Sequence, residues 1–181
     1  MNINSIDQEK QIEKIENLIQ ANPQLFDIKR KKGQNDSPIC DIIRSDSVND
    51  FVSFATKNNI SYSSIVQPSV FETNSFLIKH RPTLIEYSVF VGSIEIFKFL
   101  YNKNVEINPS IWLYAVHSQK LDLIQLFEEY FLPKEQETYQ LCLFESIKCH
   151  HNELAHYFLN KCELNSNESN DLTSKIIKSY N

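Results

Sequence analysis

One segment of this chain recurs after twenty-seven residues. Residues 82–100 align with residues 109–127 so that apolar residues fall on apolar residues at nearly every position. The equivalent pairs include Pro82 with Pro109, Leu84 with Ile111, Tyr87 with Tyr114, Val89 with Val116, Ile94 with Leu121 and Leu100 with Phe127. Units that recur at such a period bury their apolar faces by stacking on their neighbours. The period therefore predicts a repeat array, an architecture more typical of binding scaffolds than of catalysts.

Each copy has the pattern of two short helices. A proline opens the copy, the first helix ends at a turn containing Gly92 or Gln119, and a second helix follows, as in an antiparallel helix pair. A third copy begins near Thr138, where the spacing widens to thirty-one residues. The extra residues fall around Pro133, in a loop between units, where insertions cost little.

Hydrophobic spacing predicts further helices before the first clear copy. They cover residues 7–21, residues 38–44, a segment that Ser47 caps and that ends at Lys57, and residues 69–80. We therefore divide the chain into three parts. These are a helical leader with one or two degenerate repeats (1–81), three repeats (82–108, 109–137 and 138–161), and a polar linker with a last helix around Leu172 (162–181).

Glycine scarcity excludes several classes of enzyme. Gly33 and Gly92 are the two glycines of the chain. A phosphate-binding P-loop, a dinucleotide-binding fingerprint and a nucleophile elbow each need two or more glycines at fixed spacing. Tight two-residue hairpins also favour glycine, so the same scarcity argues against a sheet of hairpins.

Composition and charge predict an intracellular protein without a membrane segment. The chain has 181 residues, 41% of them hydrophobic, and a net charge of -5. This balance gives no overall attraction for nucleic acid or for acidic membranes. The first ten residues are too polar for a signal peptide, and no apolar run approaches the ~20 residues of a membrane span. We expect a cytoplasmic or nuclear protein, with its four cysteines reduced.

The stretch Pro-Thr-Leu-Ile-Glu-Tyr-Ser-Val-Phe-Val-Gly-Ser-Ile-Glu-Ile-Phe-Lys-Phe-Leu, residues 82–100, resembles an ankyrin repeat. It has the threonine start, the Gly-Ser turn and the Ile-Glu-Ile second helix, and residues 104–107 resemble the tail of such a repeat. More particularly, the chain resembles the divergent ankyrin-like proteins expanded in some protists, where a helical leader precedes shortened repeats. The resemblance implies an all-α solenoid of stacked antiparallel helix pairs with short loops and little or no β structure.

The departures from the ankyrin pattern concern the loops. The family's Thr-Pro-Leu-His becomes Thr-Leu-Ile-Glu at residues 83–86, so the histidine that ties adjacent loops is absent. The turn glycine Gly92 becomes Gln119 and His150 in the other copies. A period of twenty-seven residues, against the family's ~33, leaves no room for the full β-turn finger.

The resemblance also implies where a partner protein binds. In ankyrin repeats the outward positions of each first helix line the concave face. Here those positions are Tyr87, Phe90, Val91, Tyr114, His117, Ser118, Glu145, Lys148 and Cys149. Two roles remain open for the aromatic residues among them, since they either anchor a partner or pack between units. For Trp112, which replaces a buried leucine of the repeat, we predict core packing.

A group of cysteines and histidines has the chemistry of metal ligands but not the spacing. Its members are Cys142, Cys149, His150, His151, His156 and Cys162. Only His151 with His156 approaches a zinc-ligand spacing, and a close cysteine pair is missing. We therefore predict no metal and no cofactor. A small metal-binding protein or enzyme that uses residues 142–162 remains an alternative.

Ser88, Ser118 and Ser146 have no neighbouring histidine and carboxylate at the spacing of a known catalytic family. The adjacent pairs His117-Ser118 and Cys149-His150 point about 100° apart on a helix, so neither pair faces itself. A pair from distant positions stays open. We predict a non-catalytic module that binds a partner protein.

The basic run at residues 29–32 allows one further alternative, a nuclear adaptor that contacts nucleic acid. We interpret this run as a solvated loop, because no aromatic residues interleave it and the chain as a whole is acidic. No nucleic-acid partner is therefore predicted.

Overall fold

A computed structural model describes residues 12–13, 15–130 and 136–162 of the protein, and this part is all-helical. Residues 15–21 are helical, and ten named helices follow. Helices α1 to α10 are Pro23–Lys32, Pro38–Arg44, Val48–Lys57, Ser75–His80, Leu84–Val91, Ile94–Asn102, Ile111–Ser118, Leu121–Tyr130, Gln136–Lys148 and Asn152–Lys161. Among the described residues, β structure is limited to one isolated antiparallel bridge between Ile65 and Thr83. The all-α prediction is confirmed.

None of the helices in the described ranges combines the length and the apolar character that crossing a membrane requires. The predicted last helix around Leu172 lies outside the described residues, as does the start of the predicted helix 7–21.

Helix α1 corrects the interpretation of residues 29–32 as a solvated loop. The first helix ends at residue 21 as predicted, but Asn22 then caps a new helix by accepting a hydrogen bond from the backbone N–H of Leu25 at 3.0 Å. Pro23 suits a first helical position, because its missing N–H would have no helical partner there. The four basic residues form the last turn of α1, where the helix dipole favours positive charge.

Two of these basic side chains take part in ion pairs. Lys29 Nζ lies 2.8 Å from Asp36 Oδ2, and Lys32 Nζ lies 3.3 Å from Asp41 Oδ1. The run therefore ties α1 to the loop and helix that follow it.

The predicted helices 38–44 and 48–57 are confirmed as α2 and α3, whereas the prediction of a helix over residues 69–80 is wrong for its first half. The helix α4 begins only at Ser75, after its cap Asn74. Contacts with residues 33–37, the loop after α1 that we call the α1 loop, hold the preceding residues in a non-helical path. Glu72 Oε2 accepts a hydrogen bond from the backbone N–H of Asn35 at 3.1 Å, and the backbone N–H of Thr73 donates to Gly33 O at 3.1 Å.

Eight of the helices form four consecutive pairs, α2/α3, α5/α6, α7/α8 and α9/α10. The connection inside each pair contains one residue with left-handed backbone: Asp46 (φ 53°), Gly92 (φ 74°), Gln119 (φ 57°) and His150 (φ 58°). The first helices of successive pairs pack on one another in the order α2, α5, α7, α9. The predicted turns at Gly92 and Gln119 are confirmed.

Burial follows the twenty-seven-residue offset through α5/α6 and α7/α8. Every equivalent pair in the core of these helices is buried in both copies: Leu84 with Ile111, Ile85 with Trp112, Tyr87 with Tyr114, Ser88 with Ala115, Val89 with Val116, Ile96 with Leu123, Phe97 with Ile124 and Leu100 with Phe127. The prediction of core packing for Trp112 is confirmed, since it is 6% exposed and its ring meets Phe127 edge-on at 5.4 Å.

Candidate functional site on the first helices

The structure buries three of the residues predicted on the outward face. Tyr87, Tyr114 and Glu145 are 2%, 3% and 7% exposed, so none of them is displayed to a partner. For the two tyrosines, packing is therefore the role that the structure supports. Tyr114 is covered by α4, since the ring of Phe76 lies 4.9 Å from Tyr114 and 4.1 Å from His117. The Tyr87 hydroxyl bonds to Arg44 of α2, and Glu145 bonds to His117 of α7.

The remaining outward positions keep access to solvent. Lys148 has 49% of its side chain exposed, and Phe90, Val91, His117, Ser118 and Cys149 are partly exposed. These residues lie in two places on the first helices. Phe90 and Val91 line a cleft next to α1, and the others lie where the C-terminal ends of α7 and α9 meet.

We call the first place the α1–α5 cleft. Its volume is about 410 Å³. Its walls are Lys32, Gly33, Gln34, Arg44, Glu72, Thr73, Asn74, Leu77, Tyr87, Phe90 and Val91. One cleft thus contains three of the predicted partner-binding residues, Tyr87, Phe90 and Val91. Of these, Tyr87 is a buried core residue that forms part of the cleft wall.

Two cations lie at the α1–α5 cleft. Arg44 is held rigidly, because its Nη2 donates to Asp41 Oδ1 at 2.6 Å and to Asn35 O at 2.7 Å, and its Nη1 donates to the Tyr87 hydroxyl. The Lys32 side chain is 54% exposed. With Leu77, Phe90 and Val91 on the other walls, the cleft combines an apolar surface with two cations. Both cations pair with Asp41, and Glu72 is the acidic residue in the lining.

The second place is a cluster of His117, Glu145 and Cys149. His117 Nε2 donates to Glu145 Oε1 at 3.0 Å. Cys149 Sγ lies 3.7 Å from the same carboxylate oxygen and 3.9 Å from His117 Nε2. Lys148 Nζ lies 3.3 Å from each Glu145 oxygen. Within the described ranges, this is the group of three side chains whose ligand atoms lie close enough together to hold a metal ion.

The electrostatics of this cluster do not suit a nucleophile. The hydrogen bond from His117, assisted by Lys148, lowers the pKa of Glu145 to about 2, so the carboxylate is ionised. Burial and the Glu145 charge raise the pKa of Cys149 to about 11, so its thiol stays protonated near neutral pH. Sγ is also 3.8 Å from Nδ1 and 3.9 Å from Nε2 of His117. These nearly equal distances place the sulfur off the lone-pair direction of either nitrogen, unlike an activated Cys–His pair.

The predicted Cys/His group of residues 142–162 contributes one member, Cys149, to this cluster. Cys142 is fully buried among apolar residues, where burial raises its pKa. His150, His151 and His156 instead line a separate cavity of about 530 Å³.

Metal-ligand spacing in the sequence did not predict the contact between His117 and Cys149, because the two residues lie thirty-two positions apart and on different helices. The thirty-one-residue offset between the second and third copies could have predicted this contact. It makes Ser118 equivalent to Cys149, and stacked first helices bring equivalent positions side by side.

Comparison of the chain with protein-family models, with curated proteins and with solved structures finds no match in any of the three. The resemblance to ankyrin repeats thus stays a prediction from the residues of the chain itself.

Proposed function

We propose that this protein is a non-catalytic interaction scaffold, an ankyrin-like solenoid that binds a partner protein along its first helices. The observation that carries the proposal is the α1–α5 cleft, which gathers Phe90, Val91 and two cations beside the first helices.

The order of helix contacts supports the solenoid. Each first helix packs on the first helix of the next pair, from α2 through α5 and α7 to α9. The equal burial of residues 84–100 and 111–127 is what units of one repeat produce when each completes the core of its neighbour. In this proposal α2/α3 is the degenerate repeat of the leader, and residues 82–161 hold the three others.

The lining of the cleft defines the chemistry of the partner. Leu77, Phe90 and Val91 offer an apolar wall for one side chain, and Lys32 with Arg44 offers charge for a nearby carboxylate. We therefore assign the cleft to a partner segment with an apolar anchor next to an acidic residue. A buried anchor of this kind supplies much of the binding energy of protein interfaces.

Preorganisation gives the mechanism. Arg44 is already fixed by three hydrogen bonds, and Phe90 stacks on His117 with ring centroids 5.4 Å apart. Side chains that are ordered before binding lose little conformational entropy on docking, so more of the contact energy remains as affinity.

The first experiment is affinity capture with the full chain from cells that produce it, followed by mass spectrometry and a binding measurement with the purified partner. Val91→Asp places a carboxylate in the apolar wall, and we expect it to weaken binding on the order of a hundredfold, as loss of an interface anchor does. The matched control is Leu121→Asp, because Leu121 is 42% exposed at the start of α8, outside the cleft.

A second pair of variants tests the charge. Lys32→Glu reverses a cation of the cleft, and Lys57→Glu makes the same change at the end of α3. We expect slower, salt-sensitive association only for Lys32→Glu. Binding that survives both cleft variants, in protein whose circular dichroism and melting match the wild type, would refute the cleft as the partner site.

A further inference from the structure

We propose that His117, Glu145 and Cys149 form a binding site for a zinc-like divalent transition-metal ion. None of the three residues lines the α1–α5 cleft, so the proposal does not depend on the partner-binding function.

The donor set selects the class of ion. One imidazole nitrogen, one carboxylate oxygen and one sulfur together suit a borderline cation such as Zn²⁺, whereas Mg²⁺ and Ca²⁺ take oxygen donors only. Glu145 and Cys149 are four residues apart, on the last turn of α9 and directly after it, and thus share one face. His117 faces them from α7.

The three donor atoms lie near, but not at, the spacing of a tetrahedral centre. With metal–sulfur bonds of about 2.3 Å and metal–nitrogen or metal–oxygen bonds of about 2.0–2.2 Å, the donor atoms lie roughly 3.3–3.6 Å apart. Here Nε2 and Oε1 are 3.0 Å apart, Oε1 and Sγ 3.7 Å, and Nε2 and Sγ 3.9 Å. Because Nε2 now directs its N–H at Oε1 and the sulfur lies off that direction, the Glu145 and Cys149 side chains must turn before all three donors reach bonding distance of one ion. A water molecule completes the fourth position.

The surroundings also favour a cation. His117 lies in the last turn of α7, and Cys149 follows the last residue of α9. Two helix C-termini therefore direct their partial negative charge at the same point. The aromatic rings of Phe76 and Phe90, 4.1 Å and 5.4 Å from the His117 ring, shield one side of the site and hold the imidazole in place.

Binding exchanges protons for the metal. The Cys149 thiol releases one proton to solvent and binds as thiolate, and the His117 proton moves from Nε2 to Nδ1 so that Nε2 has a free lone pair. The ion replaces the hydrogen bonds that His117 and Cys149 now make to Glu145. It also competes with the Lys148 ammonium, which leaves Glu145 at little cost because its side chain is 49% exposed.

The test uses the full chain, reduced and freed of metal, titrated with Co²⁺ as a spectroscopic probe and then with Zn²⁺ as competitor. We expect one Co²⁺ per chain, with a thiolate-to-cobalt charge-transfer band that Zn²⁺ abolishes. Cys149→Ser should remove the band, and Glu145→Gln or His117→Gln should weaken affinity on the order of a hundredfold or more. Matched controls are Cys162→Ser and His156→Gln, which remove the same donor types outside the cluster.

Lys148→Ala provides a readout that a purely structural cluster would not show. Removal of the competing ammonium should raise Co²⁺ affinity several-fold, because the ion no longer displaces a cation from Glu145. Four results would overturn the site. They are no charge-transfer band in the wild type, a band that persists in folded Cys149→Ser, equal loss of binding in the two controls, or unchanged affinity in Lys148→Ala.

Discussion

The pairs α5/α6 and α7/α8 bury the same positions but build their ends differently. Before α5, Thr83 and Glu86 form a reciprocal capping box, whereas Ser110, at the equivalent place before α7, makes no side-chain cap bond. In the turns, Gly92 has its equivalent in Gln119, and both adopt left-handed backbone. The two pairs of helices therefore share their buried positions but differ in the residues that cap and end their helices.

This difference shows that the twenty-seven-residue period preserves the packing of the core more than the structure of the helix ends. A buried position contacts both its own unit and the next one, so a change there is felt through the stack. A helix end is bordered by solvent, and water, a side chain or a backbone turn can satisfy its free backbone groups. Core substitutions should therefore act alike in the two segments, whereas substitutions at the ends should act differently.

The largest effect is expected in the core. Phe127→Ala should lower the free energy of unfolding by about 3–5 kcal/mol, and Leu100→Ala by about 2–5 kcal/mol, because both side chains are fully buried. Phe127 also links neighbouring pairs, since its ring lies 5.2 Å from Phe97 of α6 and 5.4 Å from Trp112 of α7. Urea unfolding followed by circular dichroism measures both values. A loss below 1 kcal/mol at either position would contradict the equivalence of the two cores.

The next effect separates two tyrosines that share a repeat position. Tyr87→Phe removes the hydroxyl that accepts a hydrogen bond from Arg44, and we expect a cost of about 1.5–3 kcal/mol, as for bonds to charged groups. Tyr114→Phe should change stability by less than about 0.5 kcal/mol, because its hydroxyl makes no hydrogen bond within the described part of the chain. Chemical denaturation of the two variants side by side measures the difference. Equal losses of stability in the two variants would show that the hydrogen bond from Arg44 to Tyr87 does not stabilise the fold.

How far the sequence predicts this structure can be judged from its helix ends. The helix 38–44 and the turns at Gly92 and Gln119 followed from local signals, a proline at a first position and breaks in hydrophobic spacing. The prediction missed helix α1, because Pro23 directly follows the helix predicted to end at residue 21 and suits the end of that helix as well as the start of the next. The early start assigned to α4 was wrong because Glu72 and Thr73 bond to the distant α1 loop, which no local pattern encodes.

The candidate sites likewise divide into features that the sequence predicted and features that depend on contacts between distant segments. The resemblance to ankyrin repeats implied that Phe90 and Val91 lie on the outward face of their helix, and both residues line the α1–α5 cleft. It did not predict that α4 would cover Tyr114, since the ring of Phe76 arrives from another segment. The His117–Cys149 contact was likewise missed, because it joins different helices and depends on how the pairs stack.

Substitutions in the two turns should change the free energy of unfolding in opposite directions. Gly92→Ala should cost about 1–2 kcal/mol, because an L-residue is strained at φ 74° and its Cβ would lie 2.5 Å from Lys120 Cε. The displaced lysine would also lose its hydrogen bond to Gly92 O. Gln119→Gly should instead stabilise by about 0.5–1 kcal/mol, because it relieves the same backbone strain. Thermal and urea unfolding measure both, and two changes of the same sign would contradict this account.

The smallest effect concerns the caps. In Thr83→Ala the N–H of Glu86 loses its acceptor, the Thr83 hydroxyl at 3.4 Å, and the cost should be about 1 kcal/mol. Ser110→Ala should change stability by only a few tenths of a kcal/mol, because the Ser110 side chain does not cap α7. Thr83→Ser serves as the control, since it keeps the capping oxygen. If Ser110→Ala proves as costly as Thr83→Ala while Thr83→Ser stays neutral, the two helix starts are equivalent after all, and the contrast between shared cores and individual ends fails.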